Sequence, residues 1–200
     1  MKPYRAAVCT KLSGPPSIKI QNQTPKSLTS GELRIRVHAA CLNFTDLLMT
    51  EGKYQFRPDP PFVPGLEAAG DVIEVASDVR RFKPGDRVMA GGKGGALAEQ
   101  WVGSEAATIP LPPALSFSEG ACWQTAASTA WHALIERGRL QPGESVLVLG
   151  ASGGVGMAAV KLAKHFGATV IGTGSNEEKL QAIHQAGADY LLDPADEGLA

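Results

Sequence analysis

The sequence predicts an α/β protein with a β-rich N-terminal part and a C-terminal part built on a parallel sheet. Residues 1 to about 110 lack long helical periodicity and contain many turns. From Leu115 onward, helical stretches alternate with short runs rich in β-branched residues. The character of the chain changes near residues 112–122, so the predicted domains are 1–117 and 118–200.

The N-terminal part is predicted to contain antiparallel strands. Residues 33–39 alternate apolar side chains with arginine and histidine, as in a strand with one solvated face. The other elements predicted here are strands at 71–75 and 87–89, a Pro-Gly turn at 83–86, a glycine-rich bend at 90–95 and a short helix at 45–50.

The C-terminal part is predicted to begin with two helical stretches. Ser116 and Glu119 have the spacing of a capping box, and residues 128–137 form the second stretch with Gly138 as its C-cap. The parallel unit follows: strands at 146–149, 168–172 and 190–192, and helices at 155–166 and 176–186. The first helix should bury a face made of Val155, Ala159, Leu162, Ala163 and Phe166.

A glycine-rich turn joins the first strand of this unit to its helix. The strand 146–149 is predicted to be buried on both faces, and GASGGVG follows at 150–156. A glycine turn between a strand and a helix is typical of dinucleotide binding, because glycine lets a pyrophosphate approach the backbone and the helix offers unpaired N–H groups. The predicted contacts are Ser152, Gly153, Gly154, Val155 and Gly156.

The glycine fingerprint is incomplete. Aligned on Gly156, the pattern G-x-G-x-x-G requires glycine at 151, where the chain has alanine. The alternative is a glycine-rich turn in another kind of parallel α/β domain. The flanking strand and helix favour cofactor binding.

The composition is that of an ordinary globular chain, with 200 residues, a net charge of −1 and 44% hydrophobic residues. The near-neutral charge argues against a nucleic-acid partner, and no apolar run reaches the ~20 residues that span a bilayer. The three cysteines, Cys9, Cys41 and Cys122, are predicted to be reduced packing residues in a cytoplasmic protein. The parallel unit has only half of a doubly wound fold, so we expect the chain to be a fragment that lacks the second half.

Five stretches resemble the medium-chain dehydrogenase/reductases, and within them the zinc-free NADPH:quinone oxidoreductases. They are ACLNFTD at 40–46, EGKY at 51–54, PGLEAAG at 64–70, KPGDRV at 83–88 and the turn at 153–156. The resemblance implies a GroES-like catalytic domain joined to a Rossmann domain, with cofactor and substrate in the cleft between them. It also implies that the intact protein is a homodimer, formed through an edge of the Rossmann sheet that is expected beyond residue 200.

Two residues distinguish the chain from zinc-dependent relatives. Asn43 stands where they have a catalytic cysteine, and Leu66 stands where they have a histidine. The region that would carry four structural cysteines, near 92–100, is short and cysteine-free. The resemblance therefore implies that the protein binds no zinc. The spacing of the four histidines is not that of metal ligands: they are His38, His132, His165 and His184.

The same resemblance places Tyr54 and Asn43 near the nicotinamide, with Asp46 in support and Thr129 on the nicotinamide side. Tyr54 is the first candidate to donate a hydrogen bond or proton to the substrate oxygen. Alternatively, Tyr54 is an aromatic residue at the rim and Asn43 caps the following helix. Glu67 is interpreted as a buried structural carboxylate rather than a catalytic one.

Cofactor choice depends on the end of the second parallel strand. An NAD enzyme usually has an acid there, but this chain has Gly174. Ser175 and Lys179 could donate to a 2′-phosphate, although Lys179 could equally be a solvated helix residue and Ser175 could pair with Glu178 as a capping box. These residues favour NADPH.

The sequence thus predicts an NADPH-dependent reductase that transfers hydride to a small quinone or enone. Two alternatives remain: an enoyl-thioester reductase, which uses the same fold and a tyrosine at the same place, and a non-catalytic NADPH-binding member of the superfamily.

Overall fold

The computed structural model describes residues 2–195. The chain divides into two compact units, Met1–Gln124 and Thr125–Ala200. The predicted domain limits, 1–117 and 118–200, stay predictions. The strands and helices follow in chain order: β1 Tyr4–Cys9, β2 Ile18–Gln23, β3 Glu32–Ala40, α1 Phe44–Thr50, β4 Glu67–Val75, β5 Arg87–Gly91, β6 Gln100–Ser104, β7 Thr108–Pro110, α2 Phe117–Ala121, α3 Gln124–Trp131, β8 Ser145–Val148, α4 Gly154–His165, β9 Thr169–Thr173, α5 Glu177–Gln185 and β10 Tyr190–Leu192.

The first unit is built on antiparallel strands, as predicted. Five strands form one sheet in the order β6-β3-β4-β5-β7, and β1 pairs with β2 in a separate two-stranded sheet. Leu33 and Ile35 of β3 are fully buried and pack with Val72, Val88 and Trp101. The core of this unit therefore follows the apolar alternation of β3.

The polar side of β3 is solvated at Arg36 and His38, as predicted, but not at Arg34. Arg34 is only 1% exposed, and its Nε donates to Glu74 Oε2 at 2.8 Å. Its guanidinium also donates to the carbonyl of Lys26. A buried charge needs such partners, and Glu74 of the neighbouring strand β4 and the Lys26 carbonyl supply them.

The second unit holds a parallel sheet in the order β10-β9-β8. Helices α4 and α5 pack on the face that carries Val148 and Val170, together with Val160 and Ile183. The prediction that residues 146–149 are buried on both faces is wrong. Leu147 is 50% exposed, because the described helices cover only the opposite face of the sheet.

The buried face of α4 matches the prediction at Ala159 and Ala163 but not at Val155. Val160 and Ala163 are fully buried, whereas Val155 is 43% exposed. A Cβ at Gly156 would lie 2.5 Å from the Gly150 oxygen, so the helix places Gly156 against the preceding turn. That contact fixes the rotation of α4, and the packed face becomes the one that contains Gly156, Val160 and Ala163.

The helical stretch predicted at 128–137 begins earlier and changes type. Helix α3 is followed by a π-helical turn over His132–Arg137, and Gly138 is its C-cap. Gly138 keeps a right-handed φ of −73°, and the left-handed residue is Arg139 with φ 53°. Glycine is needed at 138 because a Cβ would lie 2.9 Å from the Ala133 and Leu134 oxygens.

Other local predictions are confirmed. Ser116 and Glu119 form the capping box that starts α2. Gly85 has a φ of +95° in the turn before β5, although β5 extends through residues 90 and 91, which were predicted as part of a bend. Within residues 2–195, no helix has the length and apolarity to cross a membrane.

Candidate functional site

The glycine turn of the second unit is fixed by the end of β9. The Gly150 N–H donates to Thr173 Oγ1 at 3.0 Å, and the Ala151 N–H donates to the Thr173 carbonyl at 3.1 Å. Thr173 is 3% exposed, and Gly150 has a left-handed φ of 61°. Thr173 could not be identified from the sequence, because only the pairing of β8 with β9 brings it to the turn.

The start of α4 has no side-chain cap. Gly153 is its N-cap residue and provides no side-chain hydrogen bond. A Cβ on Gly154 would meet nothing within 4 Å, and one on Gly153 would meet only the Gly150 oxygen at 3.4 Å. Packing therefore explains glycine at 156 but not at 153 or 154.

The open space at this helix start fits a phosphate group. The first turn of a helix carries N–H groups without intrahelical acceptors and the positive end of the helix dipole. Here the structure brings together Ser152, Gly153, Gly154, Val155 and Gly156, and both glycines at the tip are exposed. These residues could hold the pyrophosphate of a dinucleotide through backbone N–H groups.

The end of β9 presents the residues predicted to choose the cofactor. A Cβ on Gly174 would lie 3.0 Å from Ile183 Cδ1, so the packing of α5 accounts for glycine there. Lys179 Nζ donates to Ser175 Oγ at 2.8 Å, and both side chains are exposed. A hydroxyl donor and an ammonium thus lie side by side, which suits an anion such as a 2′-phosphate.

The capping box predicted for Ser175 and Glu178 is wrong. Asn176 is the N-cap of α5, and its Oδ1 accepts the Lys179 N–H at 2.9 Å. The backbone is extended at Asn176, and the helix starts one residue later than a Ser175 cap would require. Ser175 is consequently left to contact Lys179.

In the first unit, Asp46 fixes the start of α1. One carboxylate oxygen accepts the Asn43 N–H at 2.8 Å and the other accepts the Gly65 N–H at 2.9 Å. Asp46 is 3% exposed, and burial raises its pKa against the lowering effect of the Asn43 and Gly65 N–H groups, with the charge of Glu67 raising it further. Both oxygens are occupied, so Asp46 fixes the position of Asn43, and its supporting role in the site stays a prediction.

Asn43 lies directly after β3 and is held from two sides. Its backbone is bound by Asp46, and its side-chain Nδ2 donates to Glu67 Oε1 at 3.0 Å. Glu67 is 1% exposed at the start of β4, and it is buried and hydrogen-bonded as predicted. The Asn43 amide is therefore oriented by a buried carboxylate.

Tyr54 lies in a bend after α1 and is half-buried. Its carbonyl accepts from Arg57 Nε at 3.1 Å, while no residue in the described part of the chain hydrogen-bonds its hydroxyl. A phenol without a protein partner can donate to a ligand. This geometry is compatible with the predicted role, which stays a prediction.

Thr129 lies in the second unit on α3 and is exposed. Its hydroxyl donates to the Thr125 carbonyl at 2.7 Å within the helix. Because its hydrogen is already donated, the Thr129 hydroxyl can only accept a hydrogen bond from another group. Its predicted contact with the nicotinamide stays a prediction.

One further residue near Asn43 was not identified from the sequence. Thr45 Oγ1, in the first turn of α1, is buried without a hydrogen-bond partner in the described chain. Buried polar atoms are nearly always paired, so an unpaired one calls for a ligand group or a water. No sequence signal distinguishes this threonine, because its isolation depends on tertiary packing.

The histidines are engaged elsewhere or lie apart from one another. His38 Nε2 contacts Asp71 Oδ2 at 2.8 Å, and His132 Nδ1 contacts Glu136 Oε2 at 2.7 Å. Among residues 2–195, no three His, Cys, Asp or Glu side chains are grouped as metal ligands would be. Leu66 precedes Glu67 in this region, and zinc independence stays a prediction.

Comparison with known proteins gives two family matches. Residues 29–113 match the alcohol dehydrogenase GroES-like domain, and residues 154–200 match the zinc-binding dehydrogenase family. These matches confirm the predicted fold class, a GroES-like β-rich domain followed by a parallel α/β unit of the Rossmann type.

Similar proteins agree with these matches. The chain is 41% identical over 96% of its length to quinone oxidoreductase-like protein 2 homolog of Nematostella vectensis, of which it covers 53%. It is 38% identical over 94% of its length to the human synaptic vesicle membrane protein VAT-1 homolog, of which it covers 49%.

A solved structure is similar throughout the chain. The quinone oxidoreductase of Thermus thermophilus, studied also as its complex with NADPH, superposes with a TM-score of 0.84 at 36% identity, covering 94% of this chain and 59% of that one. The chain spans about half the length of the curated relatives it matches. It belongs to the medium-chain dehydrogenase/reductase family and is quinone oxidoreductase-like.

Proposed function

We propose that this chain functions as an NADPH-dependent oxidoreductase. It transfers hydride to a quinone or another conjugated carbonyl, and it does so without zinc. The observation that carries the proposal is the start of α4, where no side chain caps the helix and Gly154 faces open space. A pyrophosphate bound there satisfies the N–H groups of the first turn. NADPH, when bound, supplies the hydride.

The preference for NADPH rests on the end of β9. Gly174 removes the acid that would bond a ribose hydroxyl and repel a phosphate. The Ser175 hydroxyl and the Lys179 ammonium, 2.8 Å apart, provide donors and a positive charge in its place. The related Thermus thermophilus enzyme was solved as a complex with NADPH, which supports this choice.

The substrate end of the proposal rests on Tyr54 and Asn43. Addition of hydride to a conjugated carbonyl leaves negative charge on the carbonyl oxygen, and a positioned donor must stabilise it. The Tyr54 hydroxyl has no partner in the described chain, so it can donate to that oxygen. The Glu67 carboxylate fixes the Asn43 amide, which then orients what binds beside it.

Zinc independence rests on the residue types at two positions. Asn43 and Leu66 replace the cysteine and histidine of zinc-dependent relatives, and leucine offers no ligand atom. Metal analysis of the purified protein tests this part directly. We expect no more than about 0.1 equivalent of zinc per chain, and stoichiometric zinc would contradict zinc independence.

A second candidate function is NADPH binding without turnover. The likeness to the VAT-1 homolog, which is named as a synaptic vesicle membrane protein, favours this candidate. Both candidates predict NADPH binding, but only the first predicts its oxidation. We also expect the intact protein to be a cytoplasmic homodimer. Light scattering that gives a concentration-independent monomer for the full-length protein would contradict the dimer.

The experiment is NADPH oxidation measured with a panel of quinones, enones and enoyl thioesters. The proposed function predicts turnover with quinones and enones, and tighter binding of NADPH than of NADH. Faster turnover with enoyl thioesters would instead indicate an enoyl-thioester reductase. NADPH binding without oxidation on any acceptor would indicate the non-catalytic candidate.

A further inference from the structure

Lys93 follows the strand that pairs with the candidate site of the first unit. It lies two residues after Gly91, the last residue of β5. Gly91 is paired with Glu67 at the start of β4. Glu67 in turn accepts from the Asn43 amide at 3.0 Å. The chain that leads to Lys93 therefore lies beside the carboxylate that orients this amide.

The loop that carries Lys93 is held on both sides of this residue. Before it, the Gly92 N–H donates to the Leu66 carbonyl at 2.8 Å. After it, the Gly95 N–H donates to the Val63 carbonyl at 2.7 Å. The exposed Lys93 side chain consequently starts from a fixed backbone.

The ammonium of Lys93 reaches the bend that carries Tyr54. Lys93 Nζ lies 5.9 Å from the centroid of the Phe56 ring, within the ~6 Å of a cation–π contact. Phe56 is 42% exposed and lies two residues after Tyr54. This contact joins the loop beside Glu67 to the bend that holds the predicted proton donor.

Arg57 adds a second cation to the same bend. Its Nε donates to the Tyr54 carbonyl at 3.1 Å, and its side chain is exposed. That bond uses one of the five guanidinium N–H groups, so the two terminal amino groups remain for another partner. Arg57 is therefore held at Tyr54 with most of its donors unused.

The charges of Lys93 and Arg57 are not neutralised by the protein. Neither cation forms an ion pair within residues 2–195, although Asp59 follows in the same segment. Lys53, the other cation of the bend, is already paired with Glu51 at 2.9 Å. Two free cations thus border the candidate site.

An exposed ring beside two free cations suits a flat ligand with a negative group. The face of the Phe56 ring offers apolar contact to a conjugated system. The Lys93 ammonium and the Arg57 guanidinium suit a carboxylate or a phosphate. In the proposed function, the phosphates of the cofactor bind at the start of α4 and at Lys179, so this anion belongs to the acceptor.

We propose that the acceptor is a conjugated carbonyl compound with an anionic group, and that Lys93 and Arg57 bind this group. Phe56 contacts the conjugated part, which leaves the Tyr54 hydroxyl for the carbonyl oxygen. The anionic group is a carboxylate or a phosphate, because both accept from these donors. Reduction of the anionic acceptor rests on the proposed function, whereas binding of the anion does not.

The activity test compares three acceptors that share one enone. They are benzylideneacetones with a para carboxylate, a para phosphate or a para methyl ester. With saturating NADPH, kcat/KM should be about tenfold higher for an anionic acceptor than for the ester, and the better anion identifies the group. About 0.5 M salt should reduce this preference, because it screens exposed charges. Equal kcat/KM for all three acceptors would overturn the proposal.

Three variants show which cations carry the preference. Lys93→Gln and Arg57→Gln should each lower kcat/KM for the anionic acceptors about threefold more than for the ester. The intrinsic reactivity of each acceptor cancels in this comparison. Lys53→Gln is the matched control, since it removes a charge from the same bend that Glu51 already pairs, and it should keep the preference. An equal fall in all three variants would overturn the assignment to Lys93 and Arg57.

A binding test separates the anion site from the proposed function. The carboxylate and ester acceptors are titrated by calorimetry with NADP⁺ in place of NADPH, so that no reduction occurs. The carboxylate should bind wild type about fivefold more tightly than the double variant Lys93→Gln/Arg57→Gln, and the ester should bind both alike. Equal binding of the carboxylate would overturn the anion site, even if the acceptors turn over. If no acceptor oxidises NADPH, the proposed function fails, and this titration still decides whether the anion site exists.

Discussion

Helices α1 and α4 both begin at candidate site residues, yet their first turns are completed in opposite ways. The start of α1 is held by side chains, since Asp46 accepts the Asn43 and Gly65 N–H groups and Glu67 holds the Asn43 amide. The start of α4 has no side-chain cap, and Gly154 has open space in front of it.

The difference separates two kinds of binding surface. At α1 the protein supplies oriented functional groups, so removing a side-chain atom should change chemistry. At α4 it supplies bare backbone, so adding a side-chain atom should change binding. Single substitutions at the two helix starts should therefore have different effects, on chemistry at α1 and on binding at α4.

Gly156→Val should cause the largest change. Its Cβ would lie 2.5 Å from the Gly150 oxygen and 2.7 Å from the Ala151 Cα, and both are backbone atoms that cannot rotate away. We expect a loss of about 3 kcal/mol or more in the free energy of unfolding, measured by urea denaturation. A loss below about 1 kcal/mol would show that the turn yields easily and does not fix α4.

Tyr54→Phe should cause the largest loss of activity among changes near α1. The variant keeps the aromatic ring and removes its hydroxyl, so the fold and the affinity for NADPH should be preserved. We expect kcat on enones to fall on the order of 10²-fold, because one donor to the developing charge is lost. The fall should be smaller on quinones, which are easier to reduce. Full turnover on every acceptor would show that Tyr54 is a rim residue.

Lys179→Ala should change cofactor choice by a smaller amount. Removing the ammonium beside Ser175 takes away a donor to a 2′-phosphate while leaving the Asn176 cap intact. NADPH affinity should fall about tenfold, and NADH affinity should stay the same. Titration of both cofactors against wild type measures this, and equal losses for both would refute a phosphate-specific role.

Asn176→Ala should have the smallest effect, and on stability alone. The variant removes the Oδ1 that accepts the Lys179 N–H at the start of α5. A lost N-cap costs about 1 kcal/mol, so thermal unfolding should shift modestly. If Asn176→Ala also lowers the affinity for NADPH, the first turn of α5 binds the cofactor, as proposed for the first turn of α4.

The outline of both units could be predicted from the sequence, because periodicity and turn residues are local signals. Strands β3, β4 and β5, the short helix α1 and the order of the parallel unit follow from them, whereas the bounds of β1, β2, β6 and β7 were not predicted. The burial of Arg34 could not be predicted, since it depends on Glu74 of the neighbouring strand. The exposure of Leu147 depends on which face the helices cover.

The candidate site was predictable only in part for the same reason. Local structure predicts which residues meet when they are close in sequence. This holds for the turn at Ser152–Gly156 and for the contact between Ser175 and Lys179. The cap of α5 was assigned to Ser175, but the chain turns one residue later, at Asn176. Thr173 and Glu67 join their partners across strands, and one sequence does not reveal which residues pair.

The central claim is that the start of α4 is left bare for a cofactor phosphate, and Gly154→Val tests it most directly. Its Cβ meets no protein atom within 4 Å, so the fold should be unaffected. Lys161→Val is the matched control, since it places the same side chain on an exposed position of the same helix. By calorimetric titration, Gly154→Val should bind NADPH at least about tenfold more weakly than the control, at similar thermal stability. Equal affinity in both variants would contradict the account.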